Sequence, residues 1–104
     1  MKAVIQGKIY DTEKSTEIGN YWNGCGTNDF NHLSEALYKT DKGAYFLAGE
    51  GGANTRYGRS VGQNTWTGDS KIIPLDNAEA LQWAEIHLDG DIIESEFSEM
   101  LSEA

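Results

Sequence analysis

A chain of 104 residues with 38% hydrophobic residues is long enough for one domain with a single core, and this composition argues against disorder. Its formal net charge of −9 disfavours binding to nucleic acid or to an anionic membrane. No apolar run could span a membrane, the first residues lack a signal-peptide core, and the only cysteine, Cys25, cannot form an internal disulfide. We therefore expect a cytoplasmic protein of one domain, residues 1–104.

The first third of the chain carries strand patterns separated by turn signals. Residues 3–11 alternate with a period of about two, which predicts one first strand. The polar residues 11–19 predict a turn with up to one helical turn. Residues 18–24 predict a short strand that ends at an Asn-Gly turn, and residues 25–32 predict a loop.

Residues 33–50, "LSEALYKTDKGAYFLAGE", form the clearest local unit. The segment "LYKT" leads into Asp-Lys-Gly and is followed by "AYFLAG", which predicts a β-hairpin with a glycine-containing turn. The alternative is a helix over residues 29–38 with Phe30, Leu33 and Leu37 on one face. We favour a strand over residues 36–40.

The glycine-rich residues 49–70 predict a long loop with one weak strand, and Tyr57, Val61 and Trp66 are its expected anchors. Residues 71–75, "KIIPL", predict a short strand whose Pro74 marks its end or a sheet edge.

The segment "LAGEGGANTRYGRS", residues 47–60, has the composition of a phosphate-binding loop but not its motifs. A dinucleotide-binding fingerprint would require glycine where Asn54 stands, and a P-loop would require it at Ala53. Arg56 and Arg59 could still bind an anion. We favour a structural or partner-contacting loop.

Residues 76–103 change to a helical pattern. Asp76 followed by Glu79 has capping-box spacing, and Asp91 with Glu94 repeats this start signal. The first predicted helix has its apolar face at Ala80, Leu81, Ala84, His87 and Leu88, with Trp83 beside it, and the second at Ile93, Phe97, Met100 and Leu101. The predicted fold is α+β: a small antiparallel β-sheet followed by two C-terminal acidic amphipathic helices.

No residue set points clearly to catalysis or to a metal. Cys25 and His32 could form a thiol–imidazole pair, but no third orienting group is identifiable. One cysteine with His32 and His87 lacks the spacing of a metal site. We interpret His87 as a histidine at the edge of the core, and we expect neither a cofactor nor enzymatic activity.

The charge distribution is the most informative feature. Residues 72–104 contain no Lys or Arg and nine acids. Over residues 76–103 these acids average about one charge per 4.7 Å of helix, against roughly 3.4 Å per phosphate along one DNA strand. The simpler explanation is a solvated surface that keeps the protein in solution, but such surfaces usually mix both signs of charge. We predict that a basic partner binds Glu79, Glu85, Asp89, Asp91, Glu94, Glu96, Glu99 and Glu103.

Four segments, "KIYDTEKSTEIG", "LYKTDKGAYFLAGEGG", "YGRSVGQNTWTG" and "KIIPLDNAEALQWAE", resemble a family of small acidic proteins of phages, plasmids and conjugative elements of Gram-positive bacteria. This set includes anti-CRISPR proteins. The resemblance, together with the charge, implies an inhibitor that binds an RNA-guided nuclease and blocks target DNA through a surface that mimics nucleic acid. Two alternatives remain: a general interaction module, such as an antirestriction-type DNA mimic, and a small enzyme that uses Cys25 and His32 or holds a substrate with Arg56 and Arg59.

Overall fold

The computed structural model describes all 104 residues and has an α+β fold with antiparallel sheets, which confirms the predicted class. The elements are β1 (Lys2–Ile5), β2 (Lys8–Asp11), β3 (Thr16–Trp22), β4 (Leu33–Lys39), β5 (Tyr45–Gly51), β6 (Arg59–Gly62), β7 (Thr65–Thr67), β8 (Asp69–Leu75), α1 (Asn77–His87) and α2 (Gly90–Phe97), with short 3₁₀ helices at Thr12–Lys14 and Ser98–Met100. Neither α-helix has the length and apolar character needed to cross a membrane.

The main sheet has four antiparallel strands in the order β3-β4-β5-β8. Leu37 of β4 lies opposite Leu47 of β5, and Leu47 lies opposite Ile73 of β8. These three aliphatic residues therefore form a row across neighbouring strands of the sheet. The predicted hairpin is confirmed as β4–β5, and Gly43 supplies the positive φ of its turn. The alternative helix over residues 29–38 is wrong, because β4 occupies most of that range.

The prediction of a single strand over residues 3–11 is wrong, because β1 and β2 form a separate two-stranded hairpin. Gln6 and Gly7, with φ of 51° and 78°, form the two-residue turn between them. Positive φ at both central positions is the geometry that matches the twist of paired strands. Tyr10 of this hairpin packs edge-on against Phe46, so the hairpin covers part of the sheet face opposite the helices.

The glycine-rich stretch contains more structure than predicted. Instead of one weak strand it forms the β6–β7 hairpin, and β8 begins at Asp69, two residues earlier than expected. Pro74 lies in β8, which is an edge strand of the main sheet. Proline is tolerated on an edge strand because the position of its missing N–H can face the side that has no neighbouring strand.

Helix α1 starts as predicted. The Asp76 carboxylate accepts a hydrogen bond from the Glu79 N–H, and the Glu79 carboxylate accepts one from the Asp76 N–H. Ala80, Trp83 and Ala84 are the buried residues of this helix and join Leu37 and Leu47 in the main core.

His87 is half-buried at the end of α1 and stacks on Tyr21 with ring centroids 4.1 Å apart, as expected of a histidine at the edge of the core.

Helix α2 differs from the prediction at both ends. It begins at Gly90 with Asp89 as its N-cap, so the start signal assigned to Asp91 and Glu94 is wrong. Phe97 is buried and stacks on Tyr45. The helix ends there, and Met100 and Leu101 lie exposed beyond it, so they do not extend the buried stripe.

Candidate functional site

Seven of the eight predicted partner-binding acids are exposed. We call this set the acidic surface, and it comprises Glu79, Glu85, Asp89, Asp91, Glu94, Glu99 and Glu103. None of the seven makes a salt bridge, and only the Glu79 carboxylate has a hydrogen-bonding role in the fold, at the start of α1. The acidic surface is therefore largely free to interact with solvent or with a partner.

The eighth acid, Glu96, points inward and is corrected to a structural role. One of its carboxylate oxygens lies 2.9 Å from Lys39 Nζ and accepts a 2.6 Å hydrogen bond from the Tyr45 hydroxyl. Burial raises the pKa of Glu96, but the hydrogen bonds from Tyr45 and Lys39 and the charge of Lys39 outweigh burial and hold this pKa below its ordinary value. Glu96 therefore connects α2 to the sheet, and its Oε2 is already occupied by contacts within the protein.

The acidic surface is interrupted by apolar side chains and by a bend. Ile86 is 69% exposed on α1, and Ile92 is 38% exposed on α2. Leu88 and Asp89, both with extended backbone, separate the two helices. The estimated spacing of one charge per 4.7 Å is therefore not found in the structure: α1 carries only two acids, Glu79 and Glu85, in its 11 residues, and Glu103 lies beyond both helices. Single exposed apolar side chains are common on protein surfaces and do not by themselves indicate a binding site.

Glu35, which the sequence did not single out, holds the glycine-rich loop in place. It is 3% exposed and accepts hydrogen bonds from the Tyr57 hydroxyl at 2.6 Å and from Trp83 Nε1 at 3.0 Å. Arg56 Nη1 lies 3.4 Å from the same carboxylate. One buried acid thus joins the loop, the main sheet and α1.

The glycine-rich loop packs against the rest of the protein and is not arranged as a phosphate-binding site. Arg56 is paired with Glu35, and Arg59 Nε is 3.0 Å from an Asp69 carboxylate oxygen, so both candidate anion ligands already face acids. The loop packs so tightly that a Cβ at Gly49 would overlap the Tyr57 hydroxyl. These observations favour the structural interpretation of the segment 47–60.

Cys25 and His32 are close, but not as a nucleophile and its base. His32 Nδ1 lies 2.8 Å from the Cys25 backbone oxygen, and Nε2 lies 3.3 Å from Glu50 Oε1. Both ring nitrogens are thus engaged by groups other than the thiol. The hydrogen bond to the Cys25 carbonyl raises the pKa of His32; burial opposes this, and Glu50 adds to it. No group of three or more His, Cys, Asp or Glu side chains is arranged to hold a metal ion.

Comparison with known proteins adds no family to this picture. No protein-family model, no curated protein and no solved structure matches the chain. The resemblance to mobile-element proteins therefore stays a prediction, and functional reasoning rests on the charge distribution and on the geometry described above.

Proposed function

We propose that this protein is a non-enzymatic inhibitor that places its acidic surface in the basic groove of a nucleic-acid-binding protein and thereby excludes the nucleic acid. One observation carries the proposal: eight of the nine acids in residues 72–104 are exposed, the seven of the acidic surface and Asp76, and this segment contains no Lys or Arg. A basic groove attracts this surface for the reason that it attracts phosphates.

The partner we propose is an RNA-guided CRISPR nuclease in the cytoplasm of a bacterial host. Such effectors hold the guide–target heteroduplex in a positively charged channel and read the adjacent DNA motif with arginines. The resemblance to a mobile-element family that includes anti-CRISPR proteins supports this choice. The exposed side chains of Ile86 and Ile92 would add apolar contacts that phosphates lack.

The test is a triple charge reversal on the acidic surface: Glu85→Lys, Glu94→Lys and Glu99→Lys. All three side chains are exposed and make no hydrogen bond or salt bridge, so the fold should survive. Glu96 is left unchanged, because its reversal would place a second cation beside Lys39. Target-DNA binding by purified guide-loaded effectors is measured with and without the inhibitor. We expect the variant to lose inhibition, and wild-type inhibition to weaken with added salt.

The matched control reverses three exposed acids in the first half of the chain: Glu13, Glu17 and Asp41. Each triple variant gains the same charge, so net charge alone predicts equal loss of inhibition. Our proposal predicts that the control retains inhibition, and equal loss would contradict it.

A pull-down from host lysate distinguishes the proposed partner from the alternative. Recovery of a CRISPR effector supports an anti-CRISPR inhibitor. Recovery of a restriction enzyme or of another DNA-binding protein supports a general antirestriction-type mimic that uses the same acidic surface.

A further inference from the structure

A second candidate site lies away from the acidic surface. Loop residues 27–30 and His32 form one side of a cleft of about 460 Å³, and residues 50–53 and 66–70 form the rest. Glu50 lines this cleft, whereas its neighbour Gly49 faces Tyr57 and Glu35 on the helix side of the sheet. Because side chains alternate along a strand, Glu50 faces away from α1. The cleft is therefore spatially separate from the acidic surface.

Two large aromatic side chains line the cleft while remaining mostly exposed. Phe30 is 70% exposed and Trp66 is 60% exposed. The backbone that carries Phe30 is well fixed: its carbonyl accepts a 2.9 Å hydrogen bond from the Asn54 N–H. The backbone of Phe30 is thus tied to the glycine-rich loop, while its ring is exposed and available to stack against a ligand.

The charged side chains of the cleft are Asp29, Glu50 and Asp69, with His32, and no Lys or Arg lines it. Asp69 has both carboxylate oxygens engaged, one by Arg59 and one by the Ser70 N–H. Asp29 and Glu50 each have only one oxygen engaged. The second oxygen of each, Asp29 Oδ2 and Glu50 Oε2, has no hydrogen-bond partner in the protein.

We propose that this cleft binds the guanidinium group of an arginine side chain on a partner protein. Guanidinium is a planar cation that stacks on aromatic rings such as Trp66 and Phe30 and donates paired hydrogen bonds to carboxylates. The cleft offers both kinds of contact: two exposed aromatic faces and two unpaired carboxylate oxygens. The inference does not depend on the function proposed for the acidic surface.

Other ligand classes fit the cleft less well. Single-stranded nucleic acid also stacks on aromatic rings, but it requires a positively charged groove, and this one is acidic. A neutral sugar could stack on Trp66, but it would bring no positive charge to the free oxygens Asp29 Oδ2 and Glu50 Oε2. A lysine ammonium could satisfy the charge but not the planar stacking geometry.

The experiment is an NMR titration of the full chain with the blocked peptide acetyl-Gly-Arg-Gly-amide. We expect chemical-shift changes at the Trp66 indole N–H and at the backbone amides of Phe30 and Glu50. The same peptide with citrulline, the neutral isostere of arginine, should produce much smaller changes. Trp66→Ala should weaken arginine binding about tenfold, the size expected for loss of a partly desolvated cation–π contact.

The matched control is Ile9→Ala, because Ile9 is 65% exposed on β2, makes no side-chain hydrogen bond and does not line the cleft. It should leave binding unchanged, as should Glu85→Gln with Glu94→Gln on the acidic surface. Equal shifts with citrulline, shifts confined to α1 and α2, no shifts at all, or binding of maltohexaose in place of arginine would each overturn the proposal. None of these results bears on inhibition by the acidic surface, which is measured separately by target-DNA binding.

Discussion

The Tyr57 hydroxyl donates a 2.6 Å hydrogen bond to Glu35 Oε2, so the glycine-rich loop is fastened to a carboxylate in the main sheet. Trp83 Nε1 donates to the other oxygen, Oε1, from α1. Because Glu35 is 3% exposed, water cannot easily replace a donor that is removed. These two hydrogen bonds therefore couple the loop and the helix to the same buried charge.

Tyr57→Phe should destabilise the protein by roughly 1–3 kcal/mol, because it leaves one oxygen of a buried carboxylate short of a donor. Urea unfolding followed by tryptophan fluorescence measures this change. Tyr38→Phe is the control, since the Tyr38 hydroxyl makes no hydrogen bond in the structure, and it should change stability by less than about 0.5 kcal/mol. Equal costs for the two variants would contradict the role assigned to Tyr57.

Gly49→Ala should cost about 1–3 kcal/mol, because the added methyl group would overlap the Tyr57 hydroxyl and the neighbouring ring carbon. Gly90→Ala is the control: no atom lies within 4 Å of its added Cβ, and alanine favours the helix that starts there. Combining Gly49→Ala with Tyr57→Phe should cost less than the sum of the single variants, because the second change removes the overlapping oxygen. Strict additivity would show that the two sites do not interact.

Sequence patterns predicted the parts of the fold that are specified locally. Asp-Lys-Gly between two apolar runs predicted the β4–β5 hairpin, and the spacing of Asp76 and Glu79 predicted the start of α1. The β1–β2 hairpin was missed, because Gln6-Gly7 lacks the Asn or Asp that usually marks such a turn.

The structural roles of Glu35 and Glu96 were missed for a different reason. Glu35 lies two positions from Leu37 on a strand, so its position in the pattern indicates a core-facing charge that requires partners. Those partners, Tyr57 and Trp83, are 22 and 48 residues away in sequence. Glu96 likewise pairs with Lys39, which is 57 residues away in sequence. Counting charges within residues 72–104 cannot detect this contact, because Lys39 lies outside that range.

The pKa values of the two histidines should lie on opposite sides of the ordinary value of 6.5, with that of His32 above it and that of His87 below it. The pKa of His32 is raised by its hydrogen bond to the Cys25 carbonyl and by Glu50, whereas burial lowers the pKa of His87. His32 therefore contributes stability below pH 6.5 that is lost as pH rises through its folded pKa. His87 contributes stability above pH 6.5 that is lost as pH falls through its folded pKa.

NMR of the imidazole ring protons measures both histidine pKa values in one titration. Glu50→Gln should lower the pKa of His32, because it removes a nearby negative charge, and should leave that of His87 unchanged. A His87 pKa above that of His32, or an equal effect of Glu50→Gln on both, would contradict the environments described here.

Glu96→Ala should lower the free energy of unfolding near pH 7 by roughly 1–2 kcal/mol, because Tyr45 and Lys39 both lose their acceptor. The loss is limited by the exposure of Lys39, which lets water replace part of the ion pair. Glu94→Ala, in the same helix but exposed, is the matched control and should change stability by less than about 0.5 kcal/mol.

The pH dependence of these variants tests the same contact independently. Because the folded pKa of Glu96 lies below its ordinary value of 4.5, its contribution is present above pH 4.5 and is lost as pH falls through the folded pKa. The stability difference between wild type and Glu96→Ala should therefore shrink in urea unfolding at successively lower pH, whereas Glu94→Ala should stay close to wild type throughout. A difference that stays constant down to acid pH would show that Glu96 acts through packing rather than through its charge, and a loss of stability in Glu94→Ala as large as that in Glu96→Ala would assign the effect to α2 as a whole.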